Sequence, residues 1–371
     1  MNMISLTTFF VNFMNAFPTK RLKIVWVLLV MALISCGRVL PTPELSPGPT
    51  VAPSSTSKPE PSLTLIPSPT VTSQPPLAIL LAPPGSDAAL GERLRQGLQD
   101  SFSQLGMRWE MRTGLEPGKL GEQVRLVILL PPDPGAASLA SASPGVQFLV
   151  VGIPGLASGP NLSVVGEQGE RYDQQGFIAG VIAAMITPDW RVGVISLSDT
   201  PAGKAARQGF LNGAVYYCGL CNAYHGPIFD YPQFVELPST ASPAEWQAAA
   251  DILLSQAVKT IYVFPGIADP GLLDYLASSG ISLLGGGSPP EALRLSWVAS
   301  LQADPLPAIL EALPGLLKGE AAGSLPLPVA ITEVNPQLFS PGKQALAERI
   351  RLDLLQGFID TGVDPLSGES R

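Results

Sequence analysis

The sequence predicts an α/β protein of two lobes, each a doubly wound parallel sheet, joined by a hinge. Three observations carry this expectation. Short apolar runs alternate with helical patterns from Leu77 onward, the alternation that builds βαβ units. Runs such as VRLVILLPP and VQFLVVGIP are apolar on successive residues, as strands covered by helices on both faces must be. About 295 of the 371 residues follow the N-terminal tracts, enough for two good cores.

In chain order, LAILLAP reads as a strand and AALGERLRQGLQDSFSQLG as an amphipathic helix, with Leu90, Leu94, Leu98 and Phe102 on one face. RWEMRT, VRLVILLPP and VQFLVVGIP are the next strands. A second set opens with the helix YDQQGFIAGVIAAMI, which carries Gly and Ala at close-packing positions, and continues with strand RVGVISLS and helix AGKAARQGFLNGAVYY. FVELP is a strand and SPAEWQAAADILLSQ a helix, started at Ser242 or Pro243. TIYVFPG, ISLLGGG and SWVASLQ are further strands, with the helix PGLLDYLASSG between the first two. LPAILEALPGLLKGE and KQALAERIRLDLLQGFIDTG close the chain as helices. The expected partition is residues 77–165 with a return segment at about 297–345 for lobe 1, and 166–296 with a C-terminal segment at about 346–371 for lobe 2.

Ahead of the lobes, Lys20-Arg21-Leu22-Lys23 precedes the apolar run IVWVLLVMALIS and then Cys36. That run falls short of the roughly 20 residues a comfortable span requires and fits the apolar core of an export signal. Leu33-Ile34-Ser35-Cys36 completes a lipoprotein signal over residues 1–35, with Cys36 as the lipidated first residue of the mature chain. Residues 36–76 are rich in Pro, Ser and Thr and read as a disordered spacer. The expected location is the extracytoplasmic face of the cell membrane, held to the bilayer by lipid.

A formal net charge of −8 and the lack of a Lys/Arg cluster argue against a nucleic-acid partner. A single histidine, His225, excludes a metal hydrolase built on histidines. The sequence offers no nucleophile elbow, no metal-ligand spacing and no carboxylate pair it can place, so binding rather than catalysis is expected, with no metal and no cofactor. Cys218 and Cys221 form CGLC at the far end of a helix, whereas a redox motif opens one. A structural disulfide that pins the helix exit is the expected use, with thiol–disulfide exchange the alternative.

Ligands of open parallel sheets bind beyond the carboxyl ends of the strands. The strand-end candidates are therefore Ser86 and Asp87, Asp133, Ser198 and Asp199, Gly266, and Gly287 at the end of a glycine triplet. Each aspartate has helix capping as its alternative role. Phe177 and Trp297 are the aromatic candidates for stacking on a ligand, with core packing as the alternative for both.

The run Gly169 to Gly193, GERYDQQGFIAGVIAAMITPDWRVG, resembles the hallmark segment of the basic membrane protein family of substrate-binding lipoproteins. Gly209-Phe210 with Gly213 in QGFLNG resembles that family's next helix, and ISLLGGG and WVASLQAD resemble two of its later strands. The turn Pro83 to Asp87 matches the family's Asp-rich turn only at Asp87. Gly287 stands where the family has Asp, and Leu301-Gln302 where it has Lys. The resemblance implies a type I periplasmic-binding-protein fold and capture of a small polar ligand, a nucleoside in characterised members, for an ABC permease; the two-lobed architecture, without a large apolar seam, is expected to be a monomer. The alternative is a degenerate binding fold that serves as a sensor or protein-interaction module without transport.

Overall fold

A computed structural model of the protein describes residues 74–267 and 269–371. The signal segment, Cys36 and all but the last residues of the spacer lie outside the described residues. Lobe 1 begins with β1 (Leu77–Leu81), α1 (Ala88–Gln104), β2 (Arg108–Arg112), β3 (Val124–Leu129), α2 (Ala136–Ala142), β4 (Gln147–Val151) and β5 (Leu162–Val165). The chain then builds lobe 2 from α3 (Tyr172–Ile186), β6 (Val192–Leu197), α4 (Pro201–Cys218), β7 (Gln233–Leu237), α5 (Pro243–Ser255), β8 (Thr260–Val263), α6 (Pro270–Ser278), β9 (Ser282–Gly285) and β10 (Trp297–Ala303). It returns to lobe 1 with α7 (Leu306–Leu317) and β11 (Ser324–Leu325), and ends in lobe 2 with β12 (Val329–Thr332) and α8 (Pro341–Leu355).

Each lobe holds one six-stranded sheet, ordered β11-β5-β4-β3-β1-β2 in lobe 1 and β12-β10-β9-β8-β6-β7 in lobe 2. All pairings are parallel except β10 with β12. In lobe 1, α1 and α7 cover one face through Leu94, Leu98, Phe102, Ile309 and Leu313. On the other face Leu139 of α2 meets Ile79, Val127 and Phe148. Every residue of β1, β4, β5 and β6 is buried, which is why these segments lack the alternation of a half-exposed strand. The edge strand β2 departs from that pattern. Arg108 and Met111 are exposed, Glu110 and Arg112 are half-buried, and Trp109 Nε1 donates to Gln99 Oε1 at 2.9 Å.

The expected return segment needs correction. Trp297–Ala303 does not cross to lobe 1: it pairs with β9 and lies inside the lobe 2 sheet. The crossing comes only after it, and α7 and β11 are the sole elements of 297–345 that join lobe 1. The short strands β5, β11 and β12 were not expected from the sequence.

Lobe 2 is organised around α3, buried from Gln175 to Met185. A helix apolar all round belongs inside a core. Its closest neighbour is α4, and glycines set the approach. A Cβ on Gly176 would lie 2.1 Å from Ala206 O, and one on Gly180 2.1 Å from Phe210 O. Reciprocally, a Cβ on Gly209 would lie 2.2 Å from Asp173 O.

At the exit of α4, Cys218 and Cys221 are joined by a disulfide, with a Cα–Cα distance of 5.0 Å. Cys218 ends its helix rather than opening one. The loop that follows is held from below by the buried Arg191, which donates to His225 O at 2.6 Å, to Pro227 O at 3.1 Å and to the Tyr231 hydroxyl at 3.1 Å. Lysine cannot reproduce this fork. Arg191→Lys is expected to cost about 1.5–3 kcal/mol and to raise amide exchange over 222–231 before the rest of lobe 2. Unchanged exchange there would show that the disulfide alone holds the loop.

Candidate functional site

The carboxyl ends of the strands in both sheets face a common cleft of about 370 Å³. Lobe 1 contributes Asp87 and Arg93 from the start of α1, Pro131 after β3, and Gly152 after β4. Lobe 2 contributes Glu170, Tyr172 and Gln175 from the entry to α3, Pro265 after β8, and Gly286 to Ser288 after β9. Leu301, Gln302 and Ala303 at the end of β10, with Pro305 and Leu327 from the crossing segments, form its back. This is the position at which open parallel sheets bind ligands.

The lobe 2 wall is the more polar. Gln175 Nε2 donates to Glu170 Oε2 at 3.0 Å. The Tyr172 hydroxyl is pushed up to about 12, first by burial and then by the Glu170 carboxylate beside it. Phe264 packs edge-on against the Tyr172 ring, with centroids 5.3 Å apart. The glycine triplet has two distinct uses. A Cβ on Gly285 would lie 2.4 Å from the Trp297 ring and one on Gly286 2.1 Å from Pro265, whereas Gly287 has nothing within 4 Å and opens onto the cleft. The loop is fixed by a short relay: Trp297 Nε1 donates to Ser300 Oγ at 2.9 Å, and Ser300 Oγ donates to Gly287 O at 2.6 Å.

Of the residues proposed from the sequence, Asp87 and Gly287 line the cleft. Asp87 is also a cap: its Oδ1 accepts from Ala89 N at 2.8 Å and Leu90 N at 3.2 Å. Ser86 stands one step back and donates to Pro131 O at 2.6 Å, which ties two loops of the lobe 1 wall together. The remaining five positions, and Trp297, have other roles. Asp133 Oδ1 accepts from Gly135 N and Ala136 N at the start of α2. Ser198 N donates to Leu237 O, and Asp199 accepts from the Ser239 amide and hydroxyl, so both join β6 to β7. Gly266 gives room to the Phe264 ring, and its neighbour Pro265 is the lining residue. Phe177 is buried in the lobe 2 core beside Tyr216, and Trp297 is buried behind the glycine loop, so neither ring is available to stack on a ligand.

The polar wall of Glu170, Tyr172 and Gln175 was not among the sequence candidates. Its signal was present: α3 is apolar throughout except for its first four residues, Tyr172-Asp173-Gln174-Gln175. Polar side chains at one end of an otherwise core-buried helix mark the end that reaches a surface or a cleft.

Two parallel-sheet α/β lobes around a strand-end cleft define the type I periplasmic-binding-protein-like fold. Solved structures share it. The chain is similar to an ABC transporter system solute-binding protein from Conexibacter woesei DSM 14684, with a TM-score of 0.55 and 17% identity over 77% of this chain and 98% of that one. It is also similar to ABC transporter system solute-binding proteins from Aeropyrum pernix K1, with a TM-score of 0.51 and 14% identity over 77% of this chain and 93% of that one. No family model matches the chain, and no curated protein matches it in sequence. Both of these structures are described as solute-binding proteins. Among the described residues no helix is long and apolar enough to cross a membrane.

Proposed function

We propose that this protein is a solute receptor of the basic membrane protein type, tethered by lipid on Cys36 to the extracytoplasmic face of the membrane, that traps a small polar ligand and presents it to an ABC permease. It acts as a monomer. The observation that carries the reading is the cleft, lined from both lobes by strand-end backbone and polar side chains. A ligand that touches both walls favours the closed arrangement over the open one, and this difference in affinity drives closure. Three chain segments, 166–171, 304–305 and 326–328, connect the lobes and are the hinge.

Thermal unfolding of the purified lobes with a panel of nucleosides, sugars, amines and amino acids tests this. A ligand at a hundred times its Kd adds about 2.7 kcal/mol, an upward shift of about 5–10 °C at this size. A panel without any shift overturns the reading. Incorporation of labelled fatty acid, abolished by Cys36→Ala, tests the anchor separately.

A further inference from the structure

We propose that the corner of the cleft built by Glu170, Tyr172 and Gln175 is a subsite for a protonated amine of the ligand. The inference rests on the solute-binding reading above and states what that solute must carry. Gln175 is 1% exposed and lines the cleft. Its Nε2 is committed to Glu170 Oε2, which fixes the orientation of the amide, and its Oε1 is buried with no hydrogen-bond partner. A buried acceptor left unpaired is costly, and at the wall of a cleft the missing donor is one that a ligand can supply.

The second acceptor of the corner decides which kind of donor. Glu170 forms no ion pair among the described residues, and the cation next to it in sequence, Arg171, is held by Asp173 at 2.8 and 2.7 Å. Glu170 is also the one charged group among the causes that raise Tyr172, so the charge nearest the Gln175 amide and the Tyr172 hydroxyl is a carboxylate. Across the cleft stand Asp87 and the single cation Arg93. An anionic group in this corner would face the Glu170 carboxylate, with the one lining cation, Arg93, on the opposite lobe. A neutral hydroxyl would satisfy Gln175 Oε1 but leave the carboxylate uncompensated as closure removes water. An ammonium has three donors and no acceptor, so it serves Oε1 and the carboxylate together and balances the charge.

The experiment is a thermal-shift screen of the purified protein against three sets of probes. One holds primary amines such as 1,4-diaminobutane, amino alcohols and amino sugars, the second their hydroxyl counterparts and nucleosides, and the third small carboxylates. Calorimetry of every hit follows on the wild type, Glu170→Gln and Gln175→Leu. The expected result is a hit among the amines that Glu170→Gln weakens at least tenfold. Glu170 is exposed, so this variant folds and carries the test even where Gln175→Leu does not. Hits confined to neutral or anionic probes, or an amine that binds Glu170→Gln as tightly as the wild type, overturn the subsite and leave the receptor intact. A screen with no hit in any set overturns the receptor reading itself.

Discussion

Gly213→Ala lowers the unfolding temperature of the lobes by about 6–12 °C. The added Cβ would lie 2.0 Å from Phe177 O, with further backbone atoms of Phe177 at 2.7 and 2.9 Å. Normal separations begin near 3.5 Å, so α4 must move off α3 by more than about 1 Å. The carbonyl cannot yield, because it belongs to a helix buried from Gln175 to Met185. Overpacking of this kind costs about 3 kcal/mol, and at about 2–4 °C per kcal/mol the stated shift follows. Gly342→Ala is the control. It lies in the first turn of α8 with nothing within 4 Å of its Cβ position, and there alanine stabilises by up to about 1 kcal/mol through helix propensity. Equal losses in the two variants would show that close approach of α3 and α4 is not what these glycines serve.

The same helix pair shows how far the sequence could be read. The central strands were legible because burial on both faces leaves continuous apolar runs, and α3 was legible because Gly and Ala recur along it. The sheet to which a strand belongs leaves no such mark. Trp297–Ala303 reads as a strand in either lobe, and only its pairing with β9 settles the matter. The strand β11 is two residues long, β5 carries Ser163 inside its short apolar run, and β12 is an edge strand buried only at Val329, so none of them shows the continuous apolar run that marks β8 and β9 at similar length. For the site, the rule that ligands meet strand ends located the cleft but could not sort the residues at those ends. Asp133 and Asp199 satisfy local backbone amides instead. The unpaired Gln175 Oε1 was beyond reach, because an orphaned acceptor is a property of surroundings that come together only in three dimensions.

Asp173→Ala removes about 3 kcal/mol and releases the C-terminal segment before the rest of lobe 2. Asp173 is fully buried in the first turn of α3, one residue beyond Tyr172 and two before Gln175. Its carboxylate takes both arms of the Arg171 guanidinium and the Thr361 hydroxyl at 2.8 Å. Thr361 is itself held by Asn212 of α4, which donates to its carbonyl at 2.7 Å. One carboxylate thus joins the entry to α3, the outer helix α4 and the tail. Breaking a buried pair costs about 3–5 kcal/mol when the surviving charge stays buried. The Arg171 side chain keeps 30% of its exposure, so water recovers part of the loss and the lower end applies. Release of the tail is a local opening with its own free energy. Amide exchange and proteolysis over 359–371 are expected to accelerate in Asp173→Ala well below its global unfolding transition. Asp173→Asn, which keeps an acceptor for Thr361 but not the charge, falls between the variant and the wild type. If exchange in the tail stayed at wild-type rates while global stability fell, the carboxylate would be serving only Arg171. Tyr172 and Gln175 flank the same residue, so loosening it also blurs the wall that would hold the ligand, and affinity in Asp173→Ala is expected to fall even though Asp173 is not among the cleft-lining residues.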